Sequence, residues 1–319
     1  MTNILWALVA VAGVPLLLGG YIFAVEAALK GRRVRPGLRA WLWLAPSLVL
    51  LAAFLVYPAV TTGVLSFFNA NSTKPVGFAN YVAIFTDPNM LLVLRNNLAW
   101  LVLFTLVTVT VGLLIAVLSD RVRYERAVKA LIFLPMAISF VAAGVIWKFM
   151  YQYQPAGTAQ IGTVNALLGI FHGFQPQAWL FNKAQNNAAL IIVGIWMWVG
   201  FAMVILSAGL KGISESLIEA ARMDGAREGR IFRSIILPLL RPTLTVVTTT
   251  LIISVLKIFD VVYVMTNGNL DTDVIANRMY KEMFNYQNFG RASAFAVILL
   301  LAIIPVMVIN IRKFGRGGS

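Results

Sequence analysis

The side chains able to do chemistry are few. Cysteine is absent and His172 is the single histidine. That removes disulfides, thiolate metal sites, a cysteine nucleophile and any histidine cluster on a metal. His172 stands in GIFHGFQPQ, which reads as a polar loop. No G-x-x-x-x-G-K-[ST] phosphate loop occurs. What remains is a carboxylate in one apolar run, an aromatic pair in another, and a charged stretch between them. Asp260 falls in the outer half of its run, three residues after Lys257. An ionisable group inside an apolar span is a functional candidate by default. The alternative is a structural pairing with Lys257 or another chain. Trp198 and Phe201, three apart on one helical face, offer a stacking surface or simply packing.

The charged stretch, Lys211 to Pro242, reads KGISESLIEAARMDGAREGRIFRSIILPLLRP. Leu217, Ala220, Ala221 and Asp224 fall on one face at helical spacing. Ser216 and Glu219 have capping-box spacing, with Ser214 a rival cap. Gly225 sits where a helix can end on a left-handed residue. Ile231, Phe232, Ile235 and Ile236 form a second amphipathic run, closed by Pro238 and Pro242. The spacing predicts two short helices joined at a glycine and lying outside the membrane.

The elements that must position these residues are apolar. Of 319 residues 60% are hydrophobic and 12% charged, and mean hydropathy is +0.84, outside the range of ordinary soluble domains. About seven spans are expected, near residues 4–27, 41–68, 97–118, 131–151, 188–210, 243–265 and 291–311. The first lacks a basic n-region and reads as an uncleaved span rather than a signal peptide. One set of alternate loops, with the tail, holds eighteen Lys and Arg, including Arg121, Arg123, Arg126 and Lys129. The opposite set holds Lys74, Lys183, Arg278 and Lys281. The positive-inside rule therefore places the 211–242 loop and the C-terminus in the cytoplasm and the N-terminus outside. Charge on one face of a membrane protein accounts for the net +14 without nucleic acid.

The pattern E-A-A-x-x-D-G-A-x-x-x-x-x-F-x-x-I-x-L-P resembles the cytoplasmic coupling loop of ABC importer permeases. It is carried by Glu219, Ala220, Ala221, Asp224, Gly225, Ala226, Phe232, Ile235, Leu237 and Pro238. Likeness to sugar-type permeases extends over about 41–312. It includes Gly77 to Phe85, Leu134-Pro135, Trp147, Trp196, Gly200, Phe259-Asp260, Gly268, Tyr280, Phe284 and Gly290. Asn96 and Asn97 stand where relatives have an Asn-Thr pair, and Asn267-Gly268-Asn269 where many have Gly-Gly-Pro. Ser214 replaces the usual proline before the coupling helix.

The resemblance implies an all-α, polytopic type I importer permease. Its parts would be an extra N-terminal helix and basic loop (1–40), a second helix and outer loop (41–93), a permease core (94–312) and a tail (313–319). It implies a sugar substrate, such as an α-glucoside, delivered by an extracytoplasmic binding protein. It also implies a second permease and two ATPase subunits, which would hold ATP and Mg²⁺, so that this chain needs no cofactor and is not itself an enzyme. Glu219, Ala220, Ala221, Asp224, Gly225, Ala226 and Pro238 would couple to the ATPase. Asp260, Trp198 and Phe201 would line the pathway. The alternatives are a same-fold importer of another solute, such as glycerol phosphate, or a secondary transporter. The latter would need ion-coupling residues and discontinuous repeat-related helices, and would have no use for the coupling loop. The near absence of His, Cys and clustered acids argues against a membrane enzyme.

Because the chain has no cysteine, single introduced cysteines report topology directly. In intact cells, cysteine at Ser216 is expected to resist a membrane-impermeant thiol reagent, and cysteine at Thr73 to react. The reverse pattern would overturn the orientation.

Overall fold

The computed structural model describes residues 2–30, 36–120 and 122–316. Of the cations counted above, Arg32, Arg33, Arg35 and Arg121 lie outside the described residues, as does the end of the tail. The chain divides into two compact units, 1–64 and 65–319. In the first, α1 (Thr2–Leu29) precedes α2 (Pro36–Leu51), which continues through a wide turn at Ala52–Val56 into Tyr57–Leu65. Tyr21 Oη donates to the Leu42 carbonyl at 2.5 Å. The wide turn has a local cause. Pro58 lacks an N–H and its ring would crowd the Phe54 carbonyl, and an expanded turn relieves that conflict.

The second unit contains the elements that carry the candidate residues. After α3 (Ala79–Thr86) comes α4 (Pro88–Ser119). Asp87 caps α4, accepting from Asn89 N–H at 2.8 Å, and Pro88 occupies the first position, where its missing donor costs nothing. Next are α5 (Glu125–Ala137) and α6 (Phe140–Met150), then the short α7 (Thr163–Leu168) and α8 (Asn186–Lys211). The pair α9 (Glu215–Met223) and α10 (Glu228–Leu239) follows, then α11 (Arg241–Leu256) and α12 (Asp260–Met265). Last come α13 (Ile275–Tyr280) and α14 (Phe289–Arg316).

α8 is the axis of this unit, with 61% of its most apolar window buried. Lipid supplies no hydrophobic drive between helices, so close association depends on small residues that let backbones approach. A side chain on Gly112 of α4 would meet Ala202 Cβ at 2.7 Å, and one on Gly200 of α8 would meet the Ile132 carbonyl of α5 at 2.5 Å. Gly194 makes room for the rings of Trp100 and Phe104. The buried core around these contacts includes Leu190, Met203, Leu206, Val247 and Leu251. A second cluster joins Ile84, Met90 and Val93 to Ile275, Phe295 and Leu299.

Two of the expected spans are not single helices. Among the described residues four helices are long and apolar enough to cross a membrane, or up to six segments if each bent pair counts as one. Where the apolar run predicts a span over 131–151, α5 and α6 meet at 102°. Pro135 ends α5 in a tight turn, Ile138 is extended, and Ser139 caps α6 by accepting from Ala142 N–H. Where it predicts 243–265, α11 stops at Leu256 and α12 starts at Asp260. α10 and α11 form the second bent pair, at 67°, with Pro242 at the start of α11.

Candidate functional site

The 211–242 stretch forms the two expected short helices. Its first helix begins at Glu215 with Ser214 in the cap position, so the Ser216–Glu219 box does not form. Ser214 Oγ lies instead 2.7 Å from Ser216 Oγ. At the other end, Gly225 has φ +78°. Its N–H donates to the Arg222 carbonyl, and Ala226 N–H donates to the Ala221 carbonyl, both at 3.0 Å. This is the paired closure of a helix on a left-handed residue. Nothing lies within 4 Å of where a Gly225 side chain would start. The glycine is thus demanded by backbone conformation rather than by internal packing.

No residue of α9 is buried. Leu217, Glu219, Ala220, Met223 and Asp224 are exposed, with Met223 at 88%. Ala221 and Ala226 are half-buried. Arg222 pairs with Glu228 across the glycine turn at 2.8 Å, and this hydrogen bond raises the guanidinium pKa further. Both partners are half exposed, so the pair contributes little stability. Pro238 is half-buried and follows a wide turn at Phe232–Ile236, for the reason given for Pro58.

The loop is rooted on α8. A side chain on Gly209 would meet Thr243 Oγ1 at 2.7 Å and Leu240 Cδ1 at 2.9 Å, so the start of α11 lies directly on the end of α8. Beside this root, Lys129 Nζ reaches Asp120 and Glu125, each at 2.5 Å, and bonds Ser207. Lys211 also pairs with Glu125. The ends of α4, α5 and α8 are thereby tied together. A cleft of about 1220 Å³ opens between α4, α9 and α10, with Leu113, Ile218, Phe232 and Ile236 among its apolar walls.

The pathway candidates are only partly brought together. Trp198 and Phe201 contact edge to face at 5.6 Å, and Phe140 at the start of α6 lies 6.3 Å from Trp198. Both rings are half-buried and pack against the core. Asp260 opens α12 and is half-buried. Among the described residues no hydrogen bond or ion pair links it to Lys257, Trp198 or Phe201. The Lys257 pairing fails because the helix breaks between the two residues, with Lys257 at φ −100° and Phe259 at φ −137°. Next to Asp260, Phe259 stacks on Tyr263 at 5.0 Å, and Tyr280 and Phe284 continue the row. Phe259, Tyr280 and Phe284 belong to the pattern shared with sugar-type permeases, but nothing in their spacing shows that the rings converge.

Sequence reasoning also missed the segment after α12. Asp273, Asn277, Lys281 and Glu282 are buried, although this region reads as an ordinary polar loop. Asn96 Nδ2 donates to the carbonyls of Asp271 and Asp273 at 2.6 and 2.9 Å. Asn97 Oδ1 accepts from Ile275 N–H at 2.8 Å, and Asn186 Nδ2 donates to the Leu270 carbonyl at 2.7 Å. Lys281 pairs with Asp273 at 3.3 Å, while Glu282 takes Arg278 at 2.8 Å and Arg291 at 3.5 Å. Gly268, φ +67°, passes so close that a side chain there would meet Asp273 Oδ1 at 2.3 Å.

A helical membrane bundle with an exposed, glycine-terminated helix pair rooted on its central span defines a transporter subunit of one class. Residues 108–311 match the family of binding-protein-dependent transport system inner membrane components, and the chain belongs to that family. It is a permease component of an ABC importer. The chain is 56% identical to the osmoprotective compounds uptake permease protein GgtC of Synechocystis sp., over 86% of this chain and 98% of that one. It is 44% identical to the alpha-glucoside transport system permease protein AglF of Rhizobium meliloti, over 91% and 86%. It also aligns with a chain of a bacterial ABC transporter involved in import of the acidic polysaccharide alginate. That alignment has a TM-score of 0.70 and 25% identity, and covers 86% of this chain and 96% of the other.

Removing one partner of a buried ion pair costs roughly 3–5 kcal/mol. Glu282→Ala, which leaves Arg278 and Arg291 unpaired, is therefore expected to lower the melting temperature of the purified protein sharply. Glu282→Leu combined with Arg278→Met is expected to recover part of the loss. Equal melting of wild type and Glu282→Ala would show that the cluster is not structural.

Proposed function

We propose that this chain translocates a di- or oligosaccharide of the α-glucoside type, received from an extracytoplasmic solute-binding protein, in an importer with a second permease and two ATPase subunits. The ATPase subunits hold ATP and Mg²⁺, and this chain hydrolyses nothing. The carrying observation is α9, a helix with no buried residue, held at a fixed exit by Gly225 and rooted through Gly209 on the central span. An exposed short helix with small residues at its surface suits insertion into a groove of another subunit. Ala220 and Ala221 allow close approach, Glu219 and Asp224 supply polar anchors, and Ala226 and Pro238 hold the return path. The loop faces the cytoplasm because eighteen loop and tail cations share its side.

A sugar substrate is supported by the name of one relative, the alpha-glucoside permease of Rhizobium meliloti, and by the pathway residues. Asp260 has no protein partner among the described residues and sits beside a row of aromatic rings. Such a pairing suits hydroxyl groups and the apolar faces of a sugar ring. Trp198 and Phe201 offer a second aromatic surface.

A non-glycine residue in the left-handed region costs roughly 1–2 kcal/mol, and 1.4 kcal/mol is about tenfold in a docking equilibrium. Gly225→Leu is therefore expected to insert normally yet lose about tenfold or more of solute-stimulated ATP hydrolysis and uptake, with the ATPase subunits shed or uncoupled. Glu219→Ala should be milder. Uptake, ATPase rate and subunit ratio are measured on one preparation. Normal transport by Gly225→Leu with its ATPase attached would remove α9 from the coupling role.

Asp260→Ala is expected to reduce uptake more than complex yield. Unchanged uptake at full yield would exclude Asp260 from the pathway.

A further inference from the structure

The segment 152–185, between α6 and α8, is folded on one buried side chain. Asn165 is 0% exposed. Its Nδ2 donates to the carbonyls of Gln177 and Gln152 at 3.0 and 3.3 Å, and its Oδ1 accepts from Gln177 N–H and Trp179 Nε1 at 3.1 and 2.9 Å. Gly162 lies so close to the Gln152 backbone that a side chain there would start 2.1 Å from its carbonyl oxygen. This well-tied segment nevertheless turns apolar side chains outward. Ile170 is 72% exposed and Phe171 70%, with Ile161 and Leu167 also exposed. A folded loop that shows its apolar side chains needs something to cover them.

The level of the segment along the bundle identifies the cover. Tyr151 Oη donates to the Ala189 carbonyl at 3.1 Å, which fixes the loop's base one turn inside α8. Ser207, on the same helix, bonds the Asp120 carboxylate and Lys129 in the charged cluster at the α9 end. From 189 to 207 at about 1.5 Å per residue is roughly 27 Å, close to the roughly 30 Å of a bilayer's hydrocarbon. With the charged cluster at one boundary, the loop's base lies at the other. The rings agree, since Trp147 and Tyr151 lie 5.1 Å apart and Tyr151 and Trp179 5.9 Å apart. Trp and Tyr concentrate at membrane–water interfaces.

Charge separates lipid from protein as the cover. Residues 152–185 contain no Asp or Glu, and His172 and Lys183 are their only basic side chains. Lys183 is paired with Asp271 at 2.7 Å. A surface that binds and releases a soluble protein is ringed by polar and charged groups; here the exposed polar side chains are mostly neutral, such as Gln152, Gln175 and Asn182, and the one exposed ammonium is already paired. We propose that the segment is a monotopic foot, with Ile170 and Phe171 seated in the headgroup–acyl boundary of the leaflet remote from α9. The proposal rests on membrane embedding and is independent of the substrate assigned above.

The absence of cysteine makes the test direct. Phe171→Cys and, separately, Ile170→Cys are labelled with an environment-sensitive fluorophore in the whole transporter complex. The complex is then placed in nanodiscs of phosphatidylcholine and phosphatidylglycerol, with Thr73→Cys as the aqueous reference. At 170 and 171 the emission is expected to be blue-shifted relative to position 73. It is also expected to be quenched at least twofold more by lipids spin-labelled near the carbonyl end of the chain than by aqueous iodide. Iodide quenching at both positions with no effect of the lipid label would overturn the proposal. So would shielding that arises only when a solute-binding protein is added, which would make the surface a protein-docking site.

Discussion

A buried backbone group has no water to pair with, so a chain packed inside a protein can leave the helix only where other groups take up its hydrogen bonds. Asn96 and Asn97 meet that requirement for the segment after α12. One carboxamide takes two carbonyls and the next takes an N–H, at three points along 271–275. Asn186 holds the carbonyl just before them. Asn187 accepts from Trp100 Nε1 and donates to Asn96, so the irregular segment is joined to both α4 and α8. Once the backbone is held in this way, Asp273 and Glu282 can be buried, because Lys281, Arg278 and Arg291 are brought within reach.

The same constraint explains how far the fold was legible. Long apolar runs must be helices, and the centres of all seven expected spans lie in helices. The breaks were not legible. Pro135 sits in a turn whose consequence depends on Ser139 being free to cap the next helix. The break at Lys257–Phe259 has no proline or glycine to announce it. The apolar run read as one span, and so made a three-residue spacing between Lys257 and Asp260 look like one face.

At the candidate coupling loop, sequence carried more. Gly225 was legible because a left-handed helix end selects residue type by local backbone strain alone, which requires no knowledge of neighbours. The capping box at Ser216 and Glu219 was not, since the same spacing serves a helix that begins one residue after Ser214 instead. The ring row from Phe259 to Phe284 and the cluster around Lys129 were illegible for a different reason. Each joins residues from separate elements, and no local pattern records which helix ends will meet.

These contacts also decide where the second unit can move. Gly112 and Gly200 bring backbones, and Gly194 the rings of Trp100 and Phe104, so close that sliding would drive them into neighbouring atoms. Carboxamides lock one end of the bundle, and the Lys129 and Lys211 cluster ties three helix ends at the other. No residue of α9 is buried, and its ion pair, Arg222 with Glu228, runs to α10. A force on α9 enters α8 at Lys211 on one side. On the other it passes through α10 to Leu240 and Thr243, which lie against Gly209. Both routes end on the same turn of the central helix. A displacement within the bundle would first have to separate these packed glycine contacts, whereas a displacement of α9 would meet the bundle at one turn of its central helix.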